Sequence, residues 1–141
     1  MSVKQISVFL ENKPGMLNQL TAELANSGIN MRALSLAETK DFGIARIIAD
    51  DTLKAMNALK ESGFVASLTP VLAFEIPNEA GGLNKLLQTM TDANVNIEYM
   101  YSCLSLRGNS TAVMIFRVAD TEAAESGLQA RGLWSLTQEE I

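Results

Sequence analysis

The sequence contains no histidine and only one cysteine, Cys103. Without histidine, the chain has no Ser-His-Asp or Cys-His nucleophilic site, no histidine acid or base, and no metal site that uses imidazole. A single cysteine excludes an intrachain disulfide and a thiolate cluster for zinc or iron–sulfur. The sequence also shows no clustered set of carboxylates, lysine or tyrosine that would act as acid and base. We therefore predict no catalytic residues, no metal and no cofactor.

Basic runs and long apolar runs are absent as well. The chain has 11 Lys and Arg against 16 Asp and Glu, a net charge of −5. Without a basic patch, nucleic acid and an anionic membrane surface are poor partners. The apolar runs fall far short of the roughly 20 residues of a membrane span, and the start "MSVKQISVFLEN" lacks the apolar region of a signal peptide. We expect a cytoplasmic protein that has neither a nucleic-acid nor a membrane partner.

The sequence does contain an internal repeat. "NKPGMLNQL" begins at Asn12 and "NEAGGLNKL" at Asn78, and Asn30 matches Asn96 at the same spacing. Further on, "DDTLKAMNALKESGF" matches "ADTEAAESGLQARGL" at a slightly longer spacing, which pairs Gly63 with Gly132. The three extra residues of the second copy fall between Cys103 and Thr111. Two copies of one unit follow, at residues 1–70 and 71–141.

Each copy shows the same order of periodic segments, which predicts strand, helix, strand, strand, helix, strand. In the first copy we predict strands at 3–10, 31–37, 43–49 and 64–68, with helices between the first two and the last two. In the second copy we predict strands at 71–76, 95–106, 111–118 and 133–136, and helices at 82–93 and 121–130. This βαββαβ order predicts an α+β, ferredoxin-like fold, with each antiparallel sheet carrying its helices on one face.

The predicted strands are apolar on both faces, as Ile44 and Ile48 alternate with Ala45 and Ile47. A unit this small is marginal alone, so we expect the copies to pack together, with only Pro70 between them. Helices cover one sheet face only, so the other face needs a cover, and we predict a homodimer. The alternative is that small residues such as Ala33, Ser35 and Ala37 face water.

The loop between the first strand and the first helix has the chemistry to hold something small and charged. The first turn of a helix offers unpaired N–H groups and a partial positive charge, which suit a carboxylate. Gly15, Gly81 and Gly82 let the backbone approach a ligand closely. The side chain of Asn12 or Asn78 offers both a donor and an acceptor. The alternative is structural: Asn12 caps the helix, Pro14 and Gly15 shape the turn, and Asn30 follows the helix end.

An apolar strand, then Asn-Lys-Pro-Gly-Met-Leu, then a helix that ends in Gly-Ile-Asn resembles the ACT domain, and the resemblance covers both copies. It implies tandem ferredoxin-like ACT units packed together, in a regulatory, allosteric protein that binds amino acids at ACT–ACT interfaces, between the strand–helix loop of one unit and strand residues of its neighbour. The ligand-binding residues on this interpretation are Asn12, Pro14, Gly15, Met16, Leu17, Asn30, Asn78, Gly81, Gly82, Leu83 and Asn96.

The sequence departs from the serine-binding pattern of that family. Leu10 and Ile76 stand where a histidine is expected, which argues against serine and predicts a more apolar pocket wall. Ala80 replaces Pro14 and Asn94 replaces Gly28 in the second copy, so the two sites need not be equal. We expect Asn12 and Asn30 to lie at the same end of their unit, and Asn78 and Asn96 to repeat this arrangement.

Two further alternatives remain open. The pair Asp50–Asp51 resembles a metal site, but its place before a helix favours capping. The second function that we consider is a regulatory subunit that docks on an amino-acid biosynthetic enzyme such as acetolactate synthase, whose small subunit also carries an ACT domain. We predict a homodimer that binds a free amino acid and is not itself an enzyme.

Overall fold

The computed structural model describes residues 2–104 and 108–141. Its strands and helices are β1 (Val3–Glu11), α1 (Met16–Asn26), β2 (Met31–Glu38), β3 (Phe42–Ala49), α2 (Thr52–Glu61), β4 (Val65–Pro77), α3 (Gly82–Asp92), β5 (Ile97–Cys103), β6 (Thr111–Val118), α4 (Thr121–Gln129) and a 3-10 turn at Gln138–Glu140. The repeat matches the first residue of α1 with that of α3, and the first residue of β3 with that of β6. The predicted α+β fold of two repeats is confirmed.

The N-terminal compact unit comprises Lys4–Thr69. Its strands follow the order β2-β3-β1 and then the first part of β4, and β3 is antiparallel to both β1 and β2. Alternate side chains of β1 and β3 pack under α1 and α2, because successive residues of a strand point to opposite faces. The main buried members of this core are Ile6, Val8, Leu10, Leu20, Leu24, Ala45, Ile47, Met56 and Leu59.

The C-terminal compact unit comprises Pro70–Ile141 and the first residues of the chain. Its strand order is β4-β6-β5, again antiparallel. Its core repeats the first one, with Leu72, Phe74, Ile76, Leu86, Met90, Phe116, Val118, Ala124 and Leu128. A register shift between Met31 and Ala33 recurs between Ile97 and Tyr99, so even the irregularity of the second strand is repeated.

The structure differs from the prediction at Pro70. We expected one strand to end before this proline and another to begin after it, but β4 runs through it without a break. A proline fits an extended strand wherever its missing N–H is not needed for the ladder. Its carbonyl is also used, because it accepts a hydrogen bond from Arg117 Nη1 at 2.8 Å.

The second difference concerns the last strand of the second copy. Residues 133–136 are not a strand, although Leu136 donates its N–H to the carbonyl of Ala73 at 2.7 Å. The Ser135 hydroxyl donates to the Glu125 carboxylate. Burial would raise the pKa of Glu125, but hydrogen bonds to the charged form, that of Ser135 among them, outweigh burial and lower it. The segment therefore lies against β4 and is held there by one backbone and one side-chain hydrogen bond.

Strand β5 is shorter than predicted, Ile97–Cys103 against 95–106. The end of that prediction, and part of the predicted three-residue insertion, fall on residues 105–107, outside the described residues. Within the described ranges, no helix is both long and apolar enough to cross a membrane.

The face of the N-terminal sheet that points away from its helices carries an apolar patch. Phe9 and Phe42 stack there with ring centroids 4.9 Å apart. They are 48% and 44% exposed, and Ile44, paired with Phe9, is 37% exposed. We name Phe9, Phe42 and Ile44 the open-face patch. The sequence left open that the small residues of β2, among them Ala33, face water. For Ala33 this is wrong, because its side chain is buried.

Candidate functional site

The loop after β1 is tied to the neighbouring β2–β3 hairpin. The amide nitrogen of Asn12 lies 3.3 Å from the carbonyl oxygens of both Thr39 and Lys40. The backbone N–H of Asn12 donates to the carbonyl of Asp41 at 2.9 Å. Asn12 therefore fixes the loop to the hairpin turn and does not cap α1, so the capping alternative for this residue is wrong.

The second copy repeats this arrangement after β4. The Asn78 amide donates to the carbonyl of Asn109 at 2.9 Å, and its backbone N–H donates to that of Ser110 at 3.0 Å. The copies share only part of their sequence, yet both keep this contact. In each unit the loop and the hairpin are therefore joined by the side chain and the backbone of one asparagine.

Both helices start on a glycine with an unusual backbone. Gly15 and Gly81 are the N-cap residues of α1 and α3, with φ of 87° and 85°, and neither helix start receives a side-chain cap. A Cβ on either glycine would have nothing within 4 Å.

The first N–H of each helix is used within the turn, since Met16 donates to the carbonyl of Lys13 at 3.4 Å and Gly82 donates to that of Glu79 at 3.1 Å. The N–H groups that follow in the first turn receive no side-chain cap, so they are left to solvent or to an anion. Pro14 lies in the exposed turn just before this point.

Gly82 has a packing reason of its own. It is buried, and a Cβ there would lie 2.2 Å from the carbonyl oxygen of Pro77. Its role in the fold is to let the start of α3 approach the end of β4. It is therefore less available to a ligand than Gly81, which is exposed.

The apolar residues predicted for the site mostly serve the cores. Met16, Leu17 and Leu83 are half-buried and pack against the cores of their units. Leu10 and Ile76, predicted to form an apolar pocket wall, are buried core residues beneath the helices. That prediction is wrong, because alternation along β1 and β4 points these two side chains to the helix-covered face.

The prediction that Asn12 and Asn30 lie at the same end of the unit is also wrong. Asn12 follows Glu11, which pairs with Phe42 at the start of β3. Asn30 precedes Met31, which pairs with Ala49 at the end of β3. The eight residues of β3 separate the two asparagines by roughly 25 Å.

The same separation holds in the second copy. Asn78 hydrogen-bonds at Ser110, just before β6 begins, whereas Asn96 precedes Ile97, the partner of Val118 at the end of β6. The helix between the two parallel strands carries the chain back along the length of the sheet. The end of the first strand and the start of the next therefore lie at opposite ends of the strands. The sequence contained this information in its strand–helix–strand order.

An open groove of about 540 Å³ lies beside the first loop. Of the predicted site residues, only Met16 lines it. Sequence reasoning missed its other walls, which include Phe9, Phe42, Phe64 and two carboxylates, Glu11 and Glu23. Glu11 is paired with Lys13 at 3.4 Å, and both are exposed.

A smaller pocket of about 240 Å³ lies in the C-terminal unit, at the opposite end of the sheet from its loop. It is lined by Ala93, Asn94, Val95, Asn96, Val118, Ala119, Asp120, Ala123 and Ala124. Asn96 is the only predicted site residue among them. Asp120 is the N-cap of α4, and its carboxylate accepts from the N–H of Ala123 at 3.1 Å.

Asp51 caps α2 in the same way, accepting from the N–H of Lys54 at 3.1 Å. The capping interpretation of Asp51 is confirmed, and its neighbour Asp50 accepts from the N–H of Asn30 at 3.1 Å. Over residues 2–104 and 108–141 no group of His, Cys, Asp and Glu side chains is arranged to hold a metal ion.

Comparison with known families matches residues 1–140 to the ACT domain pair. The chain therefore belongs to the ACT domain pair family. A protein of Bacteroides thetaiotaomicron with a solved structure is 38% identical, has a TM-score of 0.90, and is matched over 99% of this chain and 95% of its own.

More distant structures share the fold. The ligand-free regulatory subunit of aspartate kinase from Thermus thermophilus has a TM-score of 0.66 at 21% identity, with 92% of this chain and 90% of that chain covered. The subunit from Thermus flavus has a TM-score of 0.62 at 20% identity, with 90% and 88% covered. No curated protein sequence matches this chain.

Proposed function

We propose that the protein is a non-catalytic sensor that binds a free amino acid at an interface between ACT units and regulates other proteins through that binding. The observation that carries the proposal is the pair of helix starts at Gly15 and Gly81. Both are uncapped by side chains and exposed, and both follow a loop that an asparagine holds against a hairpin.

The ligand carboxylate is assigned to the uncapped N–H groups that follow Met16 in the first turn of α1, or Gly82 in that of α3. The amide nitrogen of Asn12 is already used on the hairpin carbonyls, so its Oδ1 is the atom left for the ligand. This oxygen accepts from an ammonium and has no donor for a carboxylate. The division of roles between helix and asparagine matches the two charged groups of an amino acid.

We assign Asn30 and Asn96 to the ligand site of a second copy of the chain, across a dimer interface. Because β3 separates Asn12 from Asn30 by far more than the length of an amino acid, one unit does not bring both to the same small ligand. In a homodimer, the loop of one chain meets the start of a second strand of the other. The open-face patch supplies apolar surface for such an association.

Binding would act by population shift. A ligand that contacts two chains stabilises the arrangement in which both contacts are made, so it favours one quaternary state over others. Ligand-efficiency bounds for so small a molecule allow roughly −5 to −8 kcal/mol, a high to low micromolar dissociation constant. That range suits the sensing of metabolite pools.

A second candidate is a regulatory subunit that docks on an amino-acid biosynthetic enzyme. The observation that favours it is the exposed apolar surface: besides the open-face patch, Leu53 is 73% and Val65 is 70% exposed. The Thermus proteins of the same fold are named as regulatory subunits of aspartate kinase. In this case the partner is an enzyme chain, and the amino acid is its effector.

The test is a thermal-shift screen of the protein against the twenty amino acids, with calorimetry on any ligand that raises the melting temperature. We expect one or two selective ligands, whose effect is lost in Asn12→Ala and Asn30→Ala. Asn57→Ala, on the exposed surface of α2, is the matched control and should bind as the unaltered protein does. If none of the twenty shifts the melting temperature, the amino-acid proposal is wrong and the enzyme-docking candidate takes its place.

A further inference from the structure

The two copies of the repeat differ at the groove of about 540 Å³ in the N-terminal unit. We name it the aromatic groove, because Phe9, Phe42 and Phe64 are among its walls, together with the carboxylates of Glu11 and Glu23. Phe9 and Phe42 stack on each other and are exposed, and Phe64 is half-buried against the core. The groove therefore offers aromatic surface and hydrogen-bond acceptors side by side.

None of these five side chains is kept in the second copy. The residues at the corresponding positions of the repeat are Glu75 for Phe9, Pro77 for Glu11, Thr89 for Glu23, Thr111 for Phe42 and Leu133 for Phe64. The strand register supports this matching, because Glu11 pairs with Phe42 as Pro77 pairs with Thr111. The aromatic groove is therefore a feature of the N-terminal unit alone.

The second copy carries the one tryptophan of the chain instead. Trp134 corresponds to Val65, which lines the groove, at the spacing that pairs Gly63 with Gly132. Both side chains are exposed, Val65 by 70% and Trp134 by 67%. An exposed tryptophan leaves a large apolar ring in water, and tryptophan is enriched among the residues that contribute most to protein–protein binding. One unit therefore has an aromatic groove, and the other has an exposed aromatic side chain.

We propose that Trp134 of one copy of the chain inserts into the aromatic groove of a second copy. Its ring packs on the stacked rings of Phe9 and Phe42. Each chain has one groove and one tryptophan, so two copies related by a twofold axis make the contact twice and form a closed dimer. A second copy is the partner that fits, because the chain itself supplies both surfaces and Trp134 is exposed within its own chain.

The hydrogen-bonding groups of the two surfaces also match. The indole N–H is a donor only, and burying it without an acceptor would cost free energy. Glu11 is already paired with Lys13 at 3.4 Å, so Glu23 is the acceptor that we assign to Trp134. The contact forms without any ligand, so it goes beyond the proposed function and does not rest on it.

The first test uses the full chain without added amino acid, with Trp134 as the only indole fluorophore. Emission is recorded over a range of protein concentrations at which sedimentation velocity follows the dimer. As the dimer forms, we expect the emission maximum to move to shorter wavelength and quenching by acrylamide to fall. A dimer whose indole stays in water would overturn the proposal. A chain that stays monomeric would also overturn it and leave the groove to a different protein.

The second test measures the contribution of the side chain. Trp134→Ala should raise the dissociation constant of the dimer by at least about 30-fold, the effect of truncating a residue that dominates an interface. Leu104→Ala is the matched control, because Leu104 is 64% exposed in the same unit and its loss should leave the constant unchanged. Trp134→Phe keeps a ring without an N–H, so adding Glu23→Ala to it should weaken the dimer no further. Equal dissociation constants for Trp134→Ala and the unaltered chain would contradict the proposal.

A mixing experiment separates this contact from an association of two open-face patches. A Trp134→Ala chain keeps its groove, and a chain with Phe9→Asp and Phe42→Asp keeps its tryptophan. At a concentration where neither variant forms a dimer alone, the mixture should form one, since one groove and one tryptophan are intact. Circular dichroism checks that both variants are folded. A mixture of folded chains that stays monomeric would show that Trp134 does not bind the groove.

Discussion

Two neighbouring glycines at the start of α3 show how differently the same residue type is used. Gly81 needs its positive φ and has open space around it, whereas Gly82 needs the absence of a Cβ, because the carbonyl of Pro77 lies 2.2 Å from where a Cβ would be. The first costs only backbone strain when replaced. The second forces a helix and a strand apart.

We therefore predict that Gly82→Ala lowers the free energy of unfolding by about 3 kcal/mol, the upper part of the usual range for overpacking. Gly81→Ala, the matched control, should cost about 1 kcal/mol, the cost of placing a side chain in the left-handed region. Urea denaturation followed by circular dichroism measures both. Equal losses in the two variants would show that the close approach to Pro77 relaxes freely.

At the scale of elements, α2 and α4 begin in the same way. Asp51 and Asp120 occupy the same N-cap position, and each accepts from an N–H three residues later at 3.1 Å. An aspartate at this position accepts a hydrogen bond from an N–H that has no partner within the helix. It also places a negative charge at the positive end of the helix dipole.

We predict that Asp51→Ala and Asp120→Ala each lower the free energy of unfolding by about 1 kcal/mol, the typical value of a lost N-cap. Glu122→Ala, on the exposed surface of the first turn of α4, is the control and should cost less, since it removes charge without removing a cap. Thermal unfolding of the three variants at one protein concentration provides the comparison. A loss for Glu122→Ala as large as for Asp120→Ala would contradict the capping account.

The sequence was sufficient for elements whose cause is local. Helix α1 follows from the spacing of Leu20 and Leu24, and the left-handed turns at Gly28 and Asn94 from the two residue types that best tolerate that backbone. The repeat predicted α3 and α4 as well. These features depend only on neighbours along the chain.

Features that depend on pairing were harder to predict. β4 passes through Pro70 because its missing donor is not needed there, and residues 133–136 fail to form a strand although their first-copy counterparts belong to β4. For the candidate site, the loop glycines and Asn12 were found, but the partner of Asn12 lies in a hairpin 27 residues away.

For the whole molecule, the open-face patch is the feature that bears on assembly. Three large apolar side chains are left partly exposed on a sheet face that no helix of their unit covers. Contiguous apolar surface of this kind is typical of interaction sites.

We predict that the protein sediments as a dimer and that the double variant Phe9→Asp with Phe42→Asp sediments as a monomer, because like charges would replace the stacked rings. Leu53→Asp is the matched control: Leu53 is more exposed but lies on helix α2, and its replacement should leave the dimer intact. Sedimentation velocity over a range of concentrations makes the comparison. A dimer that survives the double variant would place the interface elsewhere.

The amide contacts of Asn12 and Asn78 have a mechanical consequence. Each asparagine joins a strand–helix loop to the tip of a hairpin, at residues 39–41 in one unit and at 109–110 in the other. Because these hydrogen bonds join the loop to the hairpin, a displacement of the loop would also displace the hairpin tip. If the loop binds the ligand as proposed, the conformational change would reach the surface at the hairpin tips. A partner protein that responds to it would then contact this protein at the hairpin tips rather than at the helices.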